Sequence, residues 1–490
     1  MIKIFKITII WFMALITLFF ACSKKKPNKP VQPKYKWTIL GYFDGNNSQD
    51  QAPDGHSYVI KDVQELEKID STEDVQILVM LGSFKTEGYC KYYHIQRHLN
   101  EQPDSISSEA LLPDPGKKDM SNPMTLRDFL GFGMQKYPAE HYMLIINDHG
   151  GGWKGVCSDN VNGSGSWMSL PDLSTALFGF TFDIIWFYTP SMATVEAAYQ
   201  IKDRGEYMIA SQFKYRPDNI MGATELGKDT AWLPYLTDDP NRDVEIIARK
   251  VTEAIYIAAI RIAPKKPVHS ALIHLPRISE LVTDVSNLGR SLIDSTGANW
   301  RDVWNAWDGS QISDYGDSNF VDLLQFAWLI ENKSNLDSLI KARAIDVGIS
   351  GNDAVRVEFL NPYPGPFNYI HGISIHLPWN QNDFDSVSYA YLDFPTATHW
   401  DEFISVFIQT FSGSYAGNLD IRSTPTGAKV FLNNIDTGYE TNVIIKGLLP
   451  GRYILKLEKA GCQPYTGEEG VAIVAQQTTG RHVSLTCGHY

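Results

Sequence analysis

The chain has 490 residues, of which 43% are hydrophobic, and a formal net charge of −13 at pH 7. A chain this long needs more than one hydrophobic core, so internal boundaries must exist. The acidic balance offers no basic patch and excludes nucleic acid as a natural partner, and five scattered cysteines exclude a disulfide-rich framework.

In chain order, Lys3 and Lys6 precede an apolar run from Ile7 to Phe20, which closes at Ala21 and Cys22. A charged start, a short apolar stretch and a small residue before a cysteine predict a lipoprotein signal peptide over 1–21, with lipidation at Cys22. Phe19 and Phe20 depart from the preferred residues of a lipobox. The run is shorter than the roughly 20 residues that a membrane-spanning helix needs. Residues 22–35, rich in lysine and proline, read as an unstructured tether. The expectation is an exported chain, lipid-anchored in a bacterial cell envelope on its periplasmic or outer face.

The first segment with chemical content is YMLIINDHGGGW (Tyr142 to Trp153), an apolar run that breaks into polar residues, a histidine and three glycines. It predicts a buried strand whose C-terminal end presents His149 to a cleft, with Gly150 to Gly152 letting a ligand approach the backbone. A second buried-strand run, FDIIWF (Phe182 to Phe187), ends in Tyr188, Thr189 and Pro190, and Met192 to Ile201 then follows with helical spacing. Strand, turn and helix predict an α/β unit, in which ligands gather outside the carboxyl ends of the strands. Asp148 and Asp159 read as turn residues beside the glycines. The chain shows no zinc-ligand spacing, phosphate loop or dinucleotide fingerprint.

Further on, Val244 to Ala263 predicts a well-buried helix, HSALIHL (His269 to Leu275) and GISIHLPW (Gly372 to Trp379) predict strands, and the tryptophans from Trp300 to Trp400 read mostly as core. The pattern changes at Ser412 to Gly417. Beyond it the short alternating runs NLDIRS, AKVFLNN, RYILKLEKAG, EEGVAIVAQQ and HVSLTC predict a small all-β sandwich over 417–490. Spacing leaves open whether Cys462 and Cys487 pair there.

At its histidine and second strand the chain resembles the clostripain family of cysteine peptidases, whose pattern runs strand, D-H-G, then a second strand ending D-A-C-x-M-A-T-V-E. Here FDII and MATVE (Met192 to Glu196) stand in that register, about 40 residues beyond His149, against ~50 in caspase-type enzymes. KWTILGYFDGNN, TLRDFL, YPAEHY, FVDLLQFA and GISIHLPW extend the resemblance over residues 36–412. It implies a caspase-like α/β/α sandwich with a largely parallel sheet, His149 as general base and Gly150 as an oxyanion-hole donor. It also puts Pro190 in the nucleophile's place, and Tyr188 where the family's aspartate selects a basic side chain. The tail resembles a PEGA domain through STPTGAKVFL (Ser423 to Leu432) and GLLPGRY (Gly447 to Tyr453), which implies an adhesive or spacing module without chemistry of its own.

Proline has neither a nucleophilic lone pair nor an N–H for an oxyanion. Loss of one oxyanion donor costs about 2.7–4 kcal/mol of transition-state stabilisation, and loss of a nucleophile on the order of a million-fold in rate. Ser191 adjoins the vacated position, but on an extended segment it would point to the opposite face. Cys157, the next cysteine after His149, is the alternative nucleophile. Three readings follow: a catalytically dead pseudopeptidase that binds peptide or protein, an active cysteine-type endopeptidase using Cys157, and a non-enzymatic envelope scaffold or adhesion protein. No cofactor is expected; calcium enters only through the family, and no loop here has a recognisable calcium-ligand spacing.

Overall fold

The computed structural model describes residues 33–488, apart from 49, 53, 70, 100–101, 164, 214–220, 224–229, 263–267, 295–299, 313–318, 333–335, 362–369, 412–416, 434, 449–450 and 475–476. The predicted signal peptide, Cys22 and most of the tether lie outside the described residues. No helix among the described residues is long and apolar enough to cross a membrane.

Up to Phe411 the strands are β1 (Tyr35–Gly45), β2 (Val75–Ser83), β3 (Tyr89–His94), β4 (Ala110–Lys117), β5 (Ala139–Asn147), β6 (Val156–Asp159), β7 (Ser166–Met168), β8 (Phe182–Tyr188), β9 (Gly205–Ala210), β10 (Val268–His274), β11 (Phe320–Asp322), β12 (Val355–Asn361) and β13 (Ser374–His376). Nine of them form one sheet in the order β12-β10-β9-β8-β5-β1-β2-β3-β4. The five central strands, β2, β1, β5, β8 and β9, are parallel. Antiparallel strands close both edges.

Period-two alternation splits each central strand between two cores. Leu40 and Tyr42 of β1, Leu144 and Ile146 of β5, and Ile185 and Phe187 of β8 face one layer of helices, which includes Pro123–Lys136, Ile278–Asp294 and Trp400–Phe411. Trp37, Ile39 and Phe43, then Met143 and Ile145, then Ile184, Trp186 and Tyr188 face the other, built on Tyr58–Glu67 and Val244–Ile262. The result is an α/β/α sandwich around a largely parallel centre.

One predicted strand goes elsewhere. Of GISIHLPW only Ser374–His376 is a strand, and it pairs with β11 in a separate two-stranded sheet. The carbonyls of His376 and Leu377 accept instead from the Trp400 and Trp307 indoles, both at 2.8 Å, so tryptophan takes the place of a ladder partner.

From Gly417 onward, β14 (Gly417–Thr424), β15 (Lys429–Leu432), β16 (Ile435–Glu440), β17 (Val443–Leu448), β18 (Gly451–Glu458), β19 (Tyr465–Ile473) and β20 (Thr478–Ser484) form a three-stranded sheet β17-β14-β20 and a four-stranded sheet β16-β15-β18-β19. β16 and β17 escaped the sequence reading because the run between Asn433 and Leu448 lacks clean alternation. Leu419, Ile421, Val430, Leu455, Leu457 and Val483 form a core of their own between the sheets. Arg301 touches this unit from the larger one, donating to the Arg452 carbonyl at 2.9 Å with its guanidinium 4.0 Å from the Tyr453 ring.

Cys462 and Cys487 are joined by a disulfide across a sequence separation of 25. Closing a loop of that length removes unfolded-state entropy worth about 3–4 kcal/mol. Replacing both cysteines by serine is therefore expected to lower the stability of the C-terminal unit by that amount in denaturant unfolding. The near-ultraviolet signal of the larger unit, with its own core, should stay unchanged at mild denaturant.

Candidate active-site cleft

β5 and β8 are adjacent and parallel, with Ile146 opposite Phe187 and Asn147 opposite Tyr188. The two motifs therefore open on the same edge of the sheet from neighbouring strands. His149 is half-buried and its ring lies 5.9 Å from that of Trp167, itself 43% exposed. Burial lowers the pKa of His149, which favours the neutral imidazole near pH 7. No described residue makes a hydrogen bond to its ring.

The segment after β8 is pinned from three directions. The Ser191 N–H donates to the Phe213 carbonyl at 2.9 Å, the Ala193 N–H to Ser211 at 2.9 Å, and the Ala193 carbonyl accepts from Ser374 at 2.8 Å. Thr194 then caps the helix Val195–Ile201 by accepting from the Ala197 N–H at 3.2 Å. Ser191 has φ 57, a left-handed conformation, so alternation along an extended strand is not what directs its side chain. Its N–H is already committed to Phe213, and Pro190 has none, so this turn offers no oxyanion donor at either position.

The glycines after His149 have a more local explanation than ligand approach. A Cβ on Gly150 would sit 2.1 Å from the Pro190 carbonyl oxygen, and one on Gly152, at φ 61, would sit 2.4 Å from the Phe320 ring. Both are required because protein already occupies the space. The Gly150 N–H has no acceptor among the described residues, which suits the oxyanion role implied by the resemblance.

Cys157 lies in β6, fully buried, with its N–H on the His149 carbonyl at 3.1 Å and its thiol in the core. Burial, then the nearby carboxyl groups of Asp148, Asp44 and Asp159, push its pKa well up, which suppresses the thiolate a nucleophile requires. Asp148 is buried and accepts from the Asn47 amide at 2.5 Å and from the Ser158 N–H. Asp159 accepts from the Asn46 amide and the Met120 N–H, both at 2.8 Å. Both carboxyls thus tie loops together beneath the cleft. Tyr188 is 7% exposed and packs on Trp186, 5.4 Å between rings, on the face away from Phe187. An aromatic body thus fills the end of β8, where the resemblance implies a pocket for a basic side chain.

Sequence reasoning missed two residues. Asp44 ends β1 beside Asp148, and its signal was present, since YFDGNN breaks from apolar to polar just as INDHGG does. Glu196, in the first turn of the helix after Pro190, is buried and accepts from the His376 N–H at 2.8 Å and the Tyr389 hydroxyl at 2.9 Å. It fastens that helix to β13, and nothing in its immediate sequence announces so distant a partner.

A parallel-centred α/β/α sandwich, with a histidine loop and a strand-to-helix turn meeting at neighbouring strand ends, defines the class of caspase-like peptidase scaffolds. Within it the chain belongs to the clostripain family, whose model matches residues 42–407, and it carries a PEGA domain over 416–487. A secreted C11 cysteine protease of Bacteroides thetaiotaomicron, solved with an irreversible peptide inhibitor, superposes with a TM-score of 0.54 at 17% identity, covering 75% of this chain and 99% of that one. An inactive zymogen C11 protease of Parabacteroides distasonis superposes with a TM-score of 0.52 at 20% identity over the same shares. At such identities the likeness concerns the fold. No curated protein matches the chain in sequence.

Burial raises the Glu196 pKa from 4.5 to about 7. The folded protein thus binds more protons than the unfolded chain between those values, and stability contributed by the neutral carboxyl is lost as pH rises through the folded pKa. The displacement corresponds to roughly 3 kcal/mol. Glu196→Gln keeps an acceptor oxygen but cannot ionise. Denaturant unfolding at pH 4.5 and pH 8 should show the variant gaining stability relative to the parent at the higher pH by up to about that amount.

Proposed function

We propose that this chain is a catalytically silent clostripain-family protein that holds a peptide or protein segment in the cleft beside His149 without cutting it. The observation that carries this reading is Pro190 at the end of β8, with no thiol or hydroxyl among the described residues hydrogen-bonded to the imidazole that would have to activate it. Cys157 does not fill the gap, because its thiol is buried against carboxyl groups that oppose its ionisation. The inhibitor-bound relative supports a peptide as the class of ligand, and Trp167 offers an exposed aromatic surface beside the histidine.

In this reading residues 1–21 are a signal peptide, Cys22 bears the lipid, and residues 22–35 tether the cleft-bearing unit, 36–412, to the envelope. Residues 417–490 act as a spacing or adhesive module. An exported chain agrees with the secreted relative. The anchor is tested by Cys22→Ser, which should remove incorporation of an acyl label while leaving the folded units unchanged. Acyl labelling that survives the substitution would contradict it.

For the chemistry, the purified protein is expected to leave Arg- and Lys-terminated reporters uncut and to resist peptidyl electrophiles directed at thiols. Pro190→Cys alone should restore little, since Tyr188 still fills the basic pocket. Tyr188→Asp combined with Pro190→Cys tests whether only these groups were lost. Turnover by the unaltered protein that disappears in Cys157→Ala would overturn the reading. So would failure of the unaltered protein to retain any peptide from a displayed library that a His149→Ala variant releases.

A further inference from the structure

Asp44 and Asp148 leave the sheet at its topological switch point. β2 lies on one side of β1, while β5, β8 and β9 lie on the other, so the order of the parallel strands reverses between β1 and β5. Ligands of open α/β sheets gather outside the carboxyl ends of the strands at such a point. The register that pairs Phe43 with Asn147 sets Asp44 and Asp148 side by side on one face, and Cys157 comes up beneath them. One oxygen of each carboxyl and the Cys157 sulfur lie within 4.8 Å of one another, and all three residues are buried.

This cluster has an unmet need. Asp44 is 1% exposed, its Oδ1 accepts from the Asn46 N–H at 3.2 Å, and its Oδ2 meets no donor other than a proton shared with the Asp148 carboxyl. Two buried carboxyls that share a proton beside a buried thiol are costly to ionise, and no described cationic side chain forms an ion pair with either of them. Asp148 is already oriented by Asn47, by the Ser158 N–H and by the His149 N–H.

We propose that Asp44, Asp148 and Cys157 form a binding site for one divalent cation of the zinc and cadmium type. Thiolate together with carboxylate selects a borderline-soft ion over calcium or magnesium, which take oxygen alone. Zinc bonds of ~2.0–2.3 Å place tetrahedral ligands roughly 3.5 Å apart, so the cluster need close on the ion by no more than about 1.3 Å, and one position is left for a water. The ion replaces the thiol proton and the proton shared by the Asp44–Asp148 carboxyl pair, and these pass to solvent. Asn47 and the Ser158 N–H hold the ligating carboxylate from behind. The donors come from β1, the loop after β5 and β6, which is why no ligand spacing is visible in the sequence.

The test is to unfold the purified protein and refold it without reductant in the presence of cadmium or zinc. The expected result is one tightly held ion per chain, an ultraviolet thiolate-to-cadmium absorption, and a raised Tm relative to refolding in chelator. Asp44→Asn should weaken binding by more than about 100-fold. Cys157→Ser should abolish the absorption, while Cys90→Ser leaves it intact. Absence of the band, its persistence in Cys157→Ser, or equal affinity in Asp44→Asn would overturn the proposal. Should Cys157→Ser fail to fold, cadmium-113 NMR of the unaltered protein still decides, because a shift typical of oxygen and nitrogen donors alone excludes the site.

Discussion

Everything at the cleft depends on one close approach, the seating of Gly150 against the carbonyl of Pro190. A side chain at Gly150 would overlap that oxygen, so the histidine loop and the turn after β8 can meet only with glycine there. The contact is fixed by the parallel pairing of β5 with β8, which carries both segments to one edge, and by the hydrogen bonds to the Phe213 and Ser211 carbonyls and from the Ser374 N–H that hold the turn in place. The segments that carry His149 and Pro190 are thereby held against each other at one edge of the sheet.

In the reading proposed above, the cleft beside His149 serves binding rather than cleavage. The imidazole is neutral, partly accessible and flanked by an exposed indole, and the Gly150 N–H stays open among the described residues. Beneath this surface the polar groups are spent on architecture: Asp148 and Asp159 tie loops, and Glu196 joins the helix after Pro190 to β13. A cleft whose floor is this firmly cross-linked is pre-organised, which lowers the entropic cost of holding an extended ligand. Fold alone does not fix that ligand.

The C-terminal unit stands apart in its energetics. Its core is separate, its disulfide closes within it, and Arg301 reaches it from the larger unit through one carbonyl and one ring. Such an arrangement suits a part that positions or spaces its neighbour.

The sequence by itself determined the α/β pattern, the histidine just beyond β5, the proline that follows β8 and the all-β character of the tail. Each of these is written in a local run of residues, where alternation, glycine and proline act over a few positions. Only the tertiary structure decided what depends on distant segments meeting. It turned Ser191 into a left-handed position, buried Cys157 beneath the cleft, sent Ser374–His376 out of the main sheet, and gave Glu196 its partners on β13 and the helix after it. It also brought Asp44 and Asp148 together from strands more than a hundred positions apart in the chain. Local pattern cannot encode such contacts, because parallel strands become neighbours only through crossovers whose length and order the flanking residues do not specify.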